Sequence, residues 1–194
     1  KLKSKFGISE RNFVFVFVGR MVKDKGIEEL TQAFSELNKL YPHLRLLLVG
    51  PMEPELDPLS DACLSLICNN DNIISAGFQN DVRPYLAICH ALAFPSYREG
   101  FPNVPMQAGC FNLPSIVTDI NGCNEIIHDK INGLIVPVKD TEALKNAIEL
   151  IITNQALYLR LKDNARRSVV ENYDQKRMWE LILSEYQYHL KTKN

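Results

Sequence analysis

Up to Asp140, short runs that are apolar at every position alternate with longer stretches whose apolar residues recur every three or four positions. Phe13–Val18 is apolar throughout, rich in β-branched and aromatic residues, and ends at Gly19. Such a run suits a strand covered on both faces, as in a parallel sheet. From Gly26 the spacing of Ile27, Leu30, Ala33, Phe34 and Leu37 predicts a helix that stops by Pro42. The next strand is Leu44–Val49, closed by Gly50. Leu56, Leu59, Ala62 and Leu66 predict a helix from about Glu55 to Cys68, before a short strand at Ile73-Ile74. Val82–Ile88 reads as a short helix, Ala91–Phe94 as a strand and Asn103–Phe111 as a helix. Pro114–Val117 and Gly133–Val136 complete a set of six strands. Beyond Asp140 only helical spacing remains, predicting Thr141–Thr153, Gln155–Asn172 and Gln175–Lys191, with Thr141 and Asp174 as cap or first-turn residues. Trp179 and Tyr186 lie seven apart on the last helix, a spacing expected for packing.

Strands alternating with helices imply right-handed βαβ units. The expected fold is therefore α/β: a doubly wound, Rossmann-like parallel sheet of order 3-2-1-4-5-6 with C-terminal helices. In such sheets a ligand sits outside the carboxyl ends of the strands, where their order reverses. Strands 1 and 4 meet there, which singles out Gly19–Gly26 (loop 1) and Pro95–Pro102 (loop 4). Arg20 and Lys25 give loop 1 a guanidinium fork and a point charge for phosphate. Gly19 and Gly26 permit close approach, and the following helix adds its positive end. By itself the loop fits a row of surface cations equally well. It carries neither G-x-G-x-x-G nor a P-loop, which argues against dinucleotide and NTP binding. Glu99 in loop 4 adds an acceptor carboxylate, so a ligand bearing both phosphates and hydroxyls fits better than a phosphate alone.

Charge narrows the classes further. With 22 basic and 23 acidic residues the net charge is −1, without the clustered basic excess of a nucleic-acid binder. The clusters at Lys1–Lys5 and Ala165-Arg166-Arg167 read as solvated faces. Cys63, Cys68, Cys89, Cys110 and Cys123 form no C-x-x-C pair and are expected to be reduced and mostly buried, as in a cytosolic protein. His43, His90, His128 and His189 are scattered without ligand spacing, so no metal site and no catalytic histidine is expected. Asp119, Asn121, Asn124 and Glu125 are expected to shape and cap a short helix near Glu125. No signal peptide or membrane-length apolar stretch is seen, and Lys1–Gly7 reads as the interior of a longer polypeptide.

Five segments carry a family resemblance. Phe17–Gly26 resembles the GR-L-x-x-x-KG segment of family 4 (glycosyl transferases group 1) glycosyltransferases, and Leu47–Gly50 their second strand. Phe94–Phe101 resembles their PS-x-x-EGF motif. Leu113–Asp119 with Gly122 and Glu125 resembles PVV-x-T-D-x-x-G-x-x-E, and Asn132–Pro137 resembles x-GLLVP. The resemblance implies the C-terminal, donor-binding half of a two-domain GT-B enzyme. Residues 1–12 are then the end of an inter-domain linker, 13–172 the nucleotide-sugar-binding domain, and 173–194 a helix directed toward an absent acceptor domain.

The implied activity is transfer of a sugar, with retention of configuration, from a nucleoside diphosphate sugar to a glycan or lipid-linked acceptor. It is metal-independent and needs no cofactor. The setting is polysaccharide biosynthesis in the cytoplasm, with room for peripheral membrane association through the absent domain. The isolated half is expected to be inactive in transfer. Carried over by motif, Arg20 and Lys25 hold the diphosphate, and Glu99, the first acid of E-x7-E, contacts the sugar. Backbone at Gly19, Gly100, Phe101, Pro102, Asn103 and Val104 meets phosphate and sugar, and Phe78 and Gln79 flank the base. Two positions depart from the pattern. The second acid of E-x7-E is Gln107, which keeps an acceptor oxygen without the charge. Pro102 stands where many members have Gly and has no N–H to offer; Asn103 is expected to cap the next helix. Gln107 keeps open a non-catalytic nucleotide-sugar-binding module, and GT-B phosphorylases and epimerases remain as further alternatives.

Overall fold

The computed structural model describes residues 1–55 and 57–191; Leu56 of the expected third helix and residues 192–194 of the expected last one lie outside the described residues. Six strands form one parallel sheet of order β3-β2-β1-β4-β5-β6. They are β1 (Phe13–Val18), β2 (Leu44–Val49), β3 (Ile73–Gly77), β4 (Ala91–Phe94), β5 (Ser115–Thr118) and β6 (Gly133–Val136). The expected order holds. The central strands are buried almost throughout, which is why their sequences do not alternate.

Nine helices are described: α1 (Leu2–Lys5), α2 (Ile27–Leu40), α3 (Asp61–Asn69), α4 (Arg83–Leu86), α5 (Asn103–Cys110), α6 (Cys123–Ile126), α7 (Thr141–Thr153), α8 (Gln155–Tyr173) and α9 (Gln175–Lys191). They group as α2 with α3 and α7, and α5 with α8.

The third helix is shorter than its apolar pattern predicts. Pro58 breaks the first half of the expected span, just after Pro54 at its edge, and α3 starts only after Ser60, whose Oγ accepts the Cys63 N–H at 3.3 Å. Its buried face is Cys63 and Ile67, not Ala62 and Leu66. Near the N-terminus, α1 precedes Ile8, which enters the core. Asp140 caps α7 through the Ala143 N–H at 2.8 Å, leaving Thr141 in the first turn, and Asp174 accepts the Lys176 N–H at 2.9 Å at the start of α9. Contrary to the spacing argument, Trp179 and Tyr186 on α9 are exposed rather than packed. Cys63, Cys89 and Cys123 are buried thiols and Cys68 and Cys110 exposed ones, all free.

At the centre of the sheet the pairing is uneven. β1 pairs with β2 along six residues, but with β4 only at Phe15↔Ala91 and Val16↔Leu92. At the N-terminal end of this seam, His90 Nδ1 accepts the Val14 N–H at 2.9 Å and its ring stacks on Phe13 at 5.0 Å, a structural role. At the other end the strands run into loops 1 and 4.

Candidate functional site

Loops 1 and 4 are shaped by each other. Lys23–Lys25 forms a 3-10 turn that ends at Gly26, which has a φ of +68°. A Cβ there would lie 2.1 Å from the Pro95 carbonyl oxygen, so only glycine lets the two loops close. The Tyr97 N–H donates to the Asp24 carbonyl at 2.8 Å across the same junction. Gly122 closes a third loop in the same way: a Cβ there would lie 2.2 Å from the Gly100 carbonyl oxygen. The segment after β5 is thus pressed against loop 4, and Glu125 accepts the Gly122 N–H at 3.1 Å to start α6.

This packing brings Lys25 and Glu99 together. Lys25 Nζ lies 2.5 Å from Glu99 Oε1, the two side chains being 13 % and 17 % exposed. Ser96, fully buried, donates to the same oxygen at 2.8 Å and lies 3.4 Å from Lys25 Nζ. The Ser96 carbonyl accepts from the Thr118 hydroxyl at the end of β5. Both bonds fall on Oε1, which leaves Oε2 for another donor. The ammonium likewise retains donor capacity. Cys123 lies close enough to feel both charges: burial, aided by Glu99 and opposed by Lys25, pushes its thiol up to about 12. It is a neutral packing group beneath the pair.

Two hollows open at this end of the sheet and share Arg20. One, about 420 Å³, is lined by Arg20, Asp24, Lys25, Arg98, Glu99 and Gly100. The other, about 340 Å³ and mostly apolar, is lined by residues that include Gly19, Arg20, Gly50, Glu53, Phe78 and Gln79. Of the residues singled out by sequence, Gly19, Arg20, Lys25, Phe78, Gln79, Glu99 and Gly100 therefore gather around these hollows. Phe101, Pro102, Asn103, Val104 and Gln107 do not line either. Phe101 meets Tyr173 edge-on at 5.7 Å, Pro102 is buried, and Gln107 is exposed on α5. The expected cap is corrected: Asn103 is already the first helical residue, Pro102 precedes it, and no side chain caps this end.

The cations come paired. Arg20 Nη1 lies 3.2 Å from Glu53 Oε2, and Arg98 Nε lies 3.2 Å from Asp24 Oδ2. Asp24 Oδ1 is buried without a partner among the described residues. The positive end of α2 already carries Glu28 and Glu29, which accept from the Ser60 N–H and the Tyr97 hydroxyl. These two carboxylates offset the helix's positive end, so the cationic groups at the crevice are the side chains of Arg20, Lys25 and Arg98. Burial and the bond to Glu29 push the Tyr97 phenol up, keeping it a neutral donor that ties loop 4 to α2. Sequence reasoning missed Glu53, Asp24, Ser96 and Tyr97 as members of the site. Glu53 had no signal at all, since it lies between the second strand and the expected third helix, in neither of the loops singled out by topology.

The sequence profile of the family described as "Glycosyl transferases group 1" matches residues 1–168. The chain belongs to this family. The capsular polysaccharide biosynthesis glycosyltransferase CapM of Staphylococcus aureus is 30 % identical over 192 residues, covering 98 % of this chain and 50 % of that protein. The structure of HepE from Anabaena in complex with UDP and glucose superposes with a TM-score of 0.82 at 21 % identity, covering 94 % of this chain and 51 % of that one. The C-terminal domain of the group 1 protein LpcC from Francisella tularensis superposes with a TM-score of 0.77 at 23 % identity, covering 84 % of this chain and 87 % of that one. The chain thus spans about half the length of relatives such as CapM. No helix among the described residues is long and apolar enough to cross a membrane, and no group of three His, Cys, Asp or Glu among them is placed to hold a metal ion.

Proposed function

We propose that this chain is the donor-binding half of a retaining glycosyltransferase that moves a sugar from a nucleoside diphosphate sugar to a glycan or lipid-linked acceptor. The observation that carries the reading is the meeting of Lys25, Glu99 and Arg20 on adjoining hollows where the strand order reverses. The diphosphate lies across Arg20 and Lys25, whose charges stabilise the departing nucleoside diphosphate as the glycosidic bond breaks. This chemistry asks for no resident metal or organic cofactor. Oε2 of Glu99 accepts from a sugar hydroxyl, while Lys25 and Ser96 hold Oε1. The base enters the apolar hollow beside Gly19, Phe78 and Gln79. Backbone between Gly100 and Val104 meets phosphate and sugar, except at Pro102, and Gln107 accepts from the ribose. The UDP-bound structure of HepE and the polysaccharide role in the name of CapM support this choice of donor and acceptor. The reaction takes place on the cytoplasmic side, with any membrane contact made through the other half of the enzyme.

Calorimetric titration of the chain with UDP, GDP and ADP tests the reading. Binding of one of them, weakened about tenfold or more by Lys25→Ala, is the expected result. Failure of all three to bind would refute it. Sugar transfer by the 194-residue chain alone would contradict its assignment as half of a site. Gln107 favours a second reading, a nucleotide-sugar-binding module without turnover. That reading wins if the full-length protein releases nucleoside diphosphate only as the Gln107→Glu variant.

A further inference from the structure

The segment between β2 and α3 is fastened to loop 1 and to α2 near both its ends. The Pro51 carbonyl accepts the Met21 N–H at 2.8 Å, and Met52 forms a bridge with Met21. The Asp57 carbonyl accepts the Lys23 N–H at 3.3 Å, and Asp57 Oδ2 accepts the Asp24 N–H at 2.8 Å. Ser60 donates its N–H to Glu28 Oε1 at 2.7 Å. Behind Glu53 lies an apolar hollow of about 240 Å³ whose walls include Met21, Met52, Pro54 and Leu59, while the Glu53 carboxylate reaches Arg20.

Resting on the donor-binding reading, we propose that Glu53 is the positioning residue for Arg20. Arg20 is the long cation shared by the two hollows; its side chain is 45 % exposed, and Glu53 is its one side-chain partner among the described residues. A free arginine of this exposure samples many rotamers, and ordering it costs part of what a phosphate contact returns. Glu53 directly follows Met52, which is bridged to Met21 beside Arg20, so a bond to Nη1 removes much of that freedom in advance. A single contact at 3.2 Å leaves the other guanidinium N–H groups for the phosphate. A half-exposed ion pair adds little to fold stability, so its effect appears in ligand geometry. The opposite role, a carboxylate that occupies the fork and competes with phosphate, predicts the opposite sign.

A double-mutant cycle separates the two. The chain, Glu53→Gln, Arg20→Ala and the double variant are titrated with the nucleoside diphosphate that the unaltered chain binds best, and thermal midpoints are recorded alongside. Positioning predicts that Glu53→Gln weakens binding about threefold to tenfold when Arg20 is present and has no effect once Arg20 is removed. Tighter binding by Glu53→Gln, equal affinity, or the same loss in both backgrounds each overturns the inference and leaves the donor-binding reading standing. Absence of any nucleoside diphosphate binding by the unaltered chain removes both. If Glu53→Gln does not fold, Glu53→Asp replaces it: the charge stays but the reach shortens, and the same Arg20-dependent loss is expected.

Discussion

An alanine at position 26 would have to adopt a left-handed backbone and push its Cβ into the Pro95 carbonyl. The backbone conformation alone costs roughly 1–2 kcal/mol, and the contact adds to it because neither loop has slack. Gly26→Ala is expected to lower the thermal midpoint by about 4 °C or more, read by calorimetry. Individual positions divide by how their signal reaches the sequence. Gly26, Arg20, Lys25 and Glu99 could be singled out because the loops after strands 1 and 4 meet at the topological switch point; their composition alone suited surface charges equally well. Ser96 and Cys123 could not, since a serine between proline and tyrosine, or a cysteine opening a four-residue helix, says nothing about which carboxylate it will lie beside. Only the closure of three loops on one another brings them to Glu99.

Helix starts follow local side chains more faithfully than apolar spacing does. α7 begins where Asp140 takes the Ala143 N–H, and Asp140→Ala is expected to cost about 1 kcal/mol in chemical denaturation. The expected start of the third helix failed because apolar periodicity was weighed above Pro54 and Pro58. The freed segment became the strap that fastens loop 1. At the opposite end of the sheet the short β1–β4 pairing leans on His90. Its Nδ1 must be unprotonated to accept the Val14 N–H, and burial holds the imidazole below its ordinary range. The folded state therefore resists a proton that the unfolded chain accepts. Stability from this source is complete above the ordinary histidine value, about 6.5, and is lost as pH falls below it. Midpoints measured between about pH 7 and about pH 5 should fall, and fall less in His90→Gln, whose amide oxygen can still accept.

A parallel sheet covered on both faces could be read from alternation and continuous apolar runs, and the observed order is the Rossmann-like one expected for it. What could not be read is the surroundings of α9. Its apolar side chains lie in water, and the same spacing would serve equally for a helix packed on its own domain. Trp179 is the sole tryptophan and is 64 % exposed. The intrinsic fluorescence of the chain should therefore emit at the red wavelengths of a hydrated indole and be quenched freely by acrylamide; a blue, protected emission would show that the helix is covered.

The narrow β1–β4 ladder makes the protein two slabs riveted along a line, β3-β2-β1 on one side and β4-β5-β6 on the other. The Lys25–Glu99 contact is one rivet, and the bonds from Tyr41 and Lys145 between α2 and α7 are others. Any molecule that grips both rims inserts an additional rivet at the line of weakness. Its grip should then be felt well away from the molecule itself, as slower amide exchange in β5 and β2 together, the two slabs breathing less because they breathe as one.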